Sequence, residues 1–214
     1  VDTDATLSAV RDIIANHDRI YAILWGTTER DPQNLVENTL NTEAFEIDSR
    51  WFGNVRLVRY VSPQTMGETV ESGAIFGDSI TLESYALSKP HTQPIYYPGD
   101  TLQLRLDWQT SASIPRRYKI FVQLLSPDGV LVSQRDSEPG GGLKPIDSWT
   151  PEEVVADNHA IIIPDDLTPA HYRLIIGFYN PDNSAERLPL TINGTAEATN
   201  YLTLETITIE ARRD

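Results

Sequence analysis

Residues 102–125 constrain what this chain can fold into more than any other stretch. Leu102, Leu104, Leu106 and Trp108 alternate with Gln103, Arg105 and Asp107. A period of two is the pattern of a strand with one buried face. Pro98-Gly99-Asp100 turns the chain just before it. A second run, 118–125, ends in Ser126-Pro127-Asp128-Gly129 and is apolar in both phases, with Tyr118, Ile120, Val122 and Leu124 in one and Phe121 and Leu125 in the other. Such a strand is expected to be central and covered on both faces. The other strands have to pack on this pair, so Trp108 and Leu104, which share the inward phase, are predicted to lie between two sheets.

From residue 73 to 214 the chain reads as β throughout. Strand candidates follow at 79–87, with Ile80, Leu82 and Tyr85 inward, and at 130–134, 159–163, 171–179, 188–192 and 201–209. Pro127-Asp128-Gly129 is a hairpin signal and Asn180-Pro181-Asp182-Asn183 a turn cluster. In the last strand Leu202 and Leu204 occupy one phase and Ile207 and Ile209 the other, which predicts a bulge near Glu205-Thr206. Roughly eight short strands with regular turns define a mainly β fold, a two-sheet antiparallel β-sandwich of immunoglobulin-like or jelly-roll type.

Residues 1–63 have a different grammar. Asp2, Thr3 and Asp4 offer capping oxygens to a helix whose apolar face is Leu7, Val10, Ile13, Ile14 and His17. Residues 20–25 form a short apolar run ended by Gly26, as in a buried parallel strand. Asp31-Pro32 marks a helix start, Leu35, Val36 and Leu40 give that helix its apolar side, and 55–61 returns as a strand stopped by Ser62-Pro63. Helix, strand, helix, strand predicts a small α/β segment. About sixty residues are too few for an independent α/β core, so the segment is expected to lean on the sandwich across the polar link 63–72.

Charge and composition exclude several functions. No apolar run approaches the ~20 residues of a membrane helix, and the opening Val1-Asp2-Thr3-Asp4 reads as a cut inside a longer protein. A net charge of −14 argues against nucleic acid or an anionic membrane as partner. With no cysteine there is no disulfide or thiol chemistry. His17, His91, His159 and His171 are far apart and fit no metal-ligand spacing, and neither a cofactor nor a metal is expected. GxSxG, P-loop and GxGxxG patterns are absent. Glu152-Glu153 and Asp165-Asp166 read as solvated turn charges, because sequence neighbours rarely face each other across a sugar ring. Asn193-Gly194-Thr195 matches a glycosylation sequon but reads first as a turn. Asp128, Asp136 and Asp157 are the oxygen ligands a Ca²⁺ site on sandwich loops would use, although no ligand-loop spacing supports one.

The connection 135–158 has most potential for recognition. It contains Gly140-Gly141-Gly142, three prolines and Trp149, and loops of about that length are often functional. Trp149, with Asp136 and Asp157 beside it, is the candidate binding site. The indole has two roles open to it, stacking on a sugar or plugging the end of the sandwich, and burial is the commoner use of a large aromatic.

The sequence resembles a known family. The pattern runs Pro98-Gly99-Asp100, Leu104-Arg105-Leu106-Asp107-Trp108 and 118–125, then Asp128-Gly129, Gln134-Arg135-Asp136 and Pro139. It continues through Trp149, Asp157, Pro164, Tyr172, Gly177-Phe178-Tyr179 and Arg187-Leu188. This is similar to the soluble C-terminal region of bacterial family-39, protein-mannosyltransferase-like membrane glycosyltransferases. The front segment, with Arg19-Ile20-Tyr21, Leu24-Trp25, Asp31-Pro32, Leu40, Trp51 and Val55-Arg56-Leu57, resembles the stretch between the last membrane helix and the sandwich. Two departures replace a turn glycine: Thr150-Pro151-Glu152-Glu153 stands for Pro-Gly-Glu, and Pro169-Ala170-His171-Tyr172 for Pro-Gly-x-Tyr. The resemblance implies a transferase using a lipid-linked sugar donor, with its catalytic acids in the membrane part of the same polypeptide, at the extracytoplasmic face of a bacterial membrane. No catalytic residue falls in this chain. Three readings stand: a non-catalytic extracytoplasmic domain that positions a glycan or peptide acceptor or stabilises the membrane part; a carbohydrate-binding sandwich, which the architecture resembles through the C-terminal domains of polysaccharide exporters; and a glycoside hydrolase.

Overall fold

The computed structural model describes residues 2–89 and 94–212. His91 lies outside them. The chain forms two sheets that face each other. The first has nine strands in the order β1-β3-β2-β10-β7-β5-β4-β13-β14, where β1 is Arg19–Leu24, β2 Phe45–Phe52, β3 Val55–Val61, β4 Val70–Phe76, β5 Ile80–Leu87, β7 Thr101–Thr110, β10 Val155–Ile162, β13 Leu190–Ile192 and β14 Thr195–Ala196. The second is β6-β15-β11-β8-β9, made of Ile95–Tyr96, Leu202–Ile209, Ala170–Asn180, Lys119–Leu125 and Leu131–Ser137, with β12 (Asn183–Arg187) on the end of β11. This is a mainly β, sandwich-like fold. Both sheets are mixed, because β10 runs parallel to β2 and β15 parallel to β6, so the expectation of purely antiparallel sheets is corrected.

The core lies where alternation places it. Leu102, Leu104, Leu106 and Trp108 are fully buried, as are Ile120, Val122 and Leu124 opposite them. Trp108, Phe76 and Phe178 meet edge to face, with ring centroids 4.9–5.9 Å apart, the arrangement that ring quadrupoles favour. The second phase of β8 is covered too: Phe121 and Leu125 pack with Ile175, and the Arg187 guanidinium lies over the Phe121 ring. Gly177 is required there, since a Cβ would collide with that ring. Ile80, Leu82 and Tyr85 all point inward because the register of β5 shifts between Leu82 and Ser84. The bulge in β15 falls at Leu204, opposite Leu174/Ile175 and just before the predicted Glu205-Thr206. Gln103 leaves the polar-outward pattern. It is buried because the link crosses over it: its Nε2 donates to the Ser62 carbonyl and its Oε1 accepts from the Gln64 N–H, each at 2.8 Å.

The front segment has the helices and strands expected of it, but 20–25 is not a buried parallel strand. β1 is an exposed edge strand antiparallel to β3, and β2 completes an antiparallel three-stranded arm. Helices α1 (Thr3–Asn16) and α3 (Leu35–Glu43) cover one face of the arm around Val10, Ile20, Leu40, Val58 and Tyr60. Ile13 stays exposed on α1, and His17 lies just past its end, also exposed. Asp31 does cap α3, but from outside it: its carboxylate accepts from the Leu35 and Val36 N–H groups, while Pro32 remains in the preceding turn. Strand β2 was hidden from the sequence reading by its charges. Phe45, Ile47 and Trp51 alternate with Glu46, Asp48 and Arg50, which is strand patterning all the same.

Two glycine replacements differ in consequence. Glu152 takes φ +68°, the left-handed conformation a glycine would adopt freely, whereas Ala170 begins β11 with no positive φ. Asn193 and Gly194 both have positive φ and join β13 to β14, so the sequon residues form a hairpin turn.

Trp108→Ala is expected to lose about 3–5 kcal/mol in urea unfolding, the range for emptying a large aromatic core site; a loss within error would place the inward face elsewhere. Expressing 72–214 alone is expected to lower the melting temperature or the solubility, because it strips β2 from β10. An unchanged melt would make the two parts independent.

Candidate functional site

The open side of the sandwich is closed by a buried clamp. Arg135 on β9 reaches across to β2: its Nε donates to the Glu46 carbonyl at 2.6 Å and its Nη2 meets Glu46 Oε2 at 3.0 Å. Both side chains are buried. Leaving either member of a buried pair without its partner is costly, and hydrogen bonds among the neighbouring elements hold the surroundings of this one in place. Asn41 of α3 donates to the Gly140 carbonyl and accepts from the Tyr60 hydroxyl. Asn158 of β10 donates toward the carbonyls of Thr42 and Ala44, which the end of α3 leaves unpaired. Gly140, Gly141 and Gly142 all have positive φ, and a Cβ at Gly141 would stand 2.6 Å from Glu46 Oε2. The triple glycine is thus a backbone element that lets the loop press against the clamp.

Asp157 lies beneath this loop, fully buried, with Oδ1 accepting from the Gly140 N–H at 2.8 Å and Oδ2 2.6 Å from His159 Nε2. Burial pushes its carboxyl up, but the charge and hydrogen bond of His159, the Gly140 N–H and Arg135 outweigh it and hold the carboxyl below its ordinary value. His159 Nδ1 is buried with no partner among the described residues.

A cleft of about 640 Å³ opens between β2 and β9, with Arg56 of β3, Lys119 of β8 and the 141–143 loop on its walls. Three of its carboxylates are held by arginines: Glu46 by Arg135, Asp48 by Arg59, and Glu138 by Arg117. Asp136 is different. Burial pushes its carboxyl up, against smaller opposing effects from the Tyr179 hydroxyl, Lys119, Arg187 and His159, and its Oδ1 has no hydrogen-bond partner among the described residues. The Tyr179 phenol is in turn pushed up to about 12, first by burial and then by Asp136. Trp51, 66% exposed, forms part of the wall, with the Arg56 guanidinium 5.6 Å from its ring.

The three residues singled out from the sequence have separate fates. Asp136 lines the cleft. Asp157 supports the loop from inside. Trp149 is only 5% exposed, packs into the main core and donates from Nε1 to the Lys144 carbonyl at 2.8 Å. It plugs the sandwich, and its ring has no open face for a sugar. Asp128 sits in the β8–β9 turn, at the opposite end of the hairpin from Asp136, so the three aspartates do not converge. No group of His, Asp or Glu among the described residues is placed to hold a metal. Sequence reasoning missed Glu46 and Trp51. The signal available was Trp51-Phe52 before Gly53-Asn54, two large apolar residues at a hairpin turn.

No protein-family model matches this sequence, and no curated protein matches it. Among solved structures it is similar to a Niemann-Pick type C2 protein from Japanese carpenter ant (8% identity, TM-score 0.40, covering 67% of this chain and 99% of that one). It is also similar to the C-terminal domain of wzt (13%, 0.39, 69% and 78%) and to a calcium-binding mutant of Bacteroides uniformis beta-glucuronidase 2 (14%, 0.34, 64% and 15%).

Because the Asp157 carboxyl is held below its ordinary value, its contribution to stability is full above the unfolded value of ~4 and is lost as pH falls through the folded value. Asp157→Asn is expected to lose about 3 kcal/mol at pH near 7, as when one partner of a buried pair is removed. The gap between variant and parent should close on acidification below about pH 4. A gap independent of pH in urea unfolding would show that no ionised Asp157 supports the loop.

Proposed function

We propose that this chain is a non-catalytic, glycan-binding β-sandwich domain that holds an acceptor beside the membrane part of a glycosyltransferase. The observation that carries the binding reading is the cleft between β2 and β9, where Trp51 offers an exposed indole next to fixed charged groups. Ligand sites combine aromatic surface with a few placed polar groups. A sugar can lay its apolar face on the indole and direct its hydroxyls to Gln134, Asp136 and Lys119, which line the same cleft. Binding sites need donors and acceptors that stay put, and the ion pairs of Glu46, Asp48 and Glu138 supply a rigid charged wall. The link to a membrane glycosyltransferase rests on the sequence resemblance, with a glycan or peptide acceptor as the bound partner.

A second reading, glycoside hydrolysis, draws on Asp136, a cleft carboxylic acid pushed up by burial, as general acids are. One experiment separates the two. The chain is screened against oligosaccharides and acceptor peptides for binding, and against aryl glycosides for turnover. Trp51→Ala is expected to weaken glycan binding about tenfold or more, as loss of an exposed aromatic anchor does, with an unchanged melt and no turnover by the parent. Turnover abolished by Asp136→Asn would put hydrolysis first, and glycan binding indifferent to Trp51→Ala would remove the cleft from the reading.

A further inference from the structure

The arm β1-β3-β2 carries its helices on one face only. Cross-strand partners share a face, and the register places Tyr21 beside Arg59, Ile23 and Arg50 beside Leu57, and Phe52 beside Val55 on the other. Tyr21 is 60% exposed, Ile23 72%, Phe52 61%, and Trp25, just past β1, 50%. Among the described residues the four exposed Trp, Tyr and Phe side chains, Tyr21, Trp25, Phe52 and Trp51, all belong to this arm or its end. Exposed apolar surface concentrated in this way marks an interaction site.

The charge on this face is opposite to that of the chain. By register Arg19, Arg50 and Arg59 stand on it against Asp48, in a protein of net charge −14. The adjoining α2 turn (Thr27–Arg30) adds Glu29 and Arg30, whose guanidinium lies 4.5 Å from the Trp25 ring centroid. Arg59 is paired with Asp48, and Arg50 Nη2 also stands 3.8 Å from Asp48 Oδ2, so on this face one carboxylate stands against three arginines; the Arg50 side chain is still 71% exposed and Arg19 is exposed. Arg19, Tyr21 and Arg59 also line a small hollow of about 90 Å³ at the border with the sandwich.

We propose that this open sheet face seats the chain on an anionic lipid bilayer. A shallow, twisted sheet face with aromatic and aliphatic side chains between arginines has the chemistry of a membrane–water interface: Trp, Tyr and Phe at the headgroup level and guanidiniums on lipid phosphates. The acidic remainder of the chain does not prevent contact, since charges beyond ~10 Å are screened at ordinary ionic strength. Whole-chain charge points away from an anionic membrane, and the local charge of this face reverses that expectation. The two surfaces meet at the Asp48–Arg59 pair, while Trp51 lines the cleft from the other side of the arm.

The test is co-sedimentation of the purified chain with vesicles of phosphatidylcholine alone or mixed with phosphatidylglycerol, read together with tryptophan emission. Trp108 and Trp149 are buried, so a blue shift reports Trp25 and Trp51. Binding is expected to the anionic vesicles, weakening as salt is added. Arg19→Glu with Arg50→Glu should lower it at least tenfold, and Trp25→Ala with Phe52→Ala should lower it and reduce the blue shift. All four side chains are largely exposed, so these variants should melt like the parent. Trp51→Ala should keep vesicle binding, which separates this surface from the glycan cleft. Failure to sediment with anionic vesicles at low salt, or equal binding by parent and both double variants, would overturn the proposal. So would self-association in sedimentation equilibrium that the same substitutions abolish without vesicle binding, because the face would then belong to a second copy.

Discussion

The structure around the cleft depends on one buried pair, Arg135 with Glu46. It joins the edge strand of one sheet to the inner strand of the arm on the other, at the side where the sandwich would otherwise gape. A buried ion pair adds little net stability against an apolar alternative, but losing one partner leaves a buried charge and is severe. The consequence is specificity of arrangement: β9 and β2 have to meet in one register for the guanidinium to reach the Glu46 carbonyl and carboxylate, and the triple-glycine loop fits against Glu46 only without a Cβ. Asn41, Asn158, Asp157 and Gly140 complete the network from α3, β10 and the loop. The front segment and the sandwich are therefore tied by directional bonds as well as by apolar contact.

That tie produces the cleft. The arm leaves the sandwich through the β2–β10 contact, where a single residue pair is in register, and diverges from β9 beyond it. The space between them is walled mainly by strands, which hold side chains in place better than loops do, with the 141–143 loop on one side. Most of its acids are committed to arginines, and Asp136 alone stands in a poorly solvated position with an unmatched oxygen. The helices cover one face of the arm; on the other, Phe45 and Val61 pack beside the sandwich and the outer part is exposed. Two surfaces of different chemistry, a charged cleft and a flat aromatic–arginine face, thus lie back to back on three strands.

The sandwich was legible in the sequence because its signal is local. Alternation in 102–108, the two-phase apolar run in 118–125, the phase flip in 201–209 and the Asn193-Gly194 turn each follow from strand geometry over a few residues. Their burial and register agree with that reading to within a residue at the β15 bulge. The candidate site was poorly legible because its residues come from far apart. Glu46 and Arg135 are separated by 89 positions, and nothing local to either points to the other. Trp149 drew attention by its loop, yet tertiary packing buried it, while Trp51 sat in a strand whose charges masked its periodicity.

What the sequence by itself determined is most of the core strands and the inward phase of each, and the need for glycine or a turn residue where φ is positive; β4, which brings Phe76 into the core from residues partly read as link, was not among them. These depend on chain stereochemistry and on the period of apolar residues, which are properties of neighbours. What the tertiary structure alone decided is the antiparallel course of the arm, the parallel contacts that make both sheets mixed, the burial of Gln103 under the link, and the meeting of Arg135 with Glu46. Each of these depends on which distant segment arrives alongside, and one strand's alternation is compatible with several neighbours. The choice between them is made by the summed burial and hydrogen-bond satisfaction of the whole molecule, which no window of sequence contains.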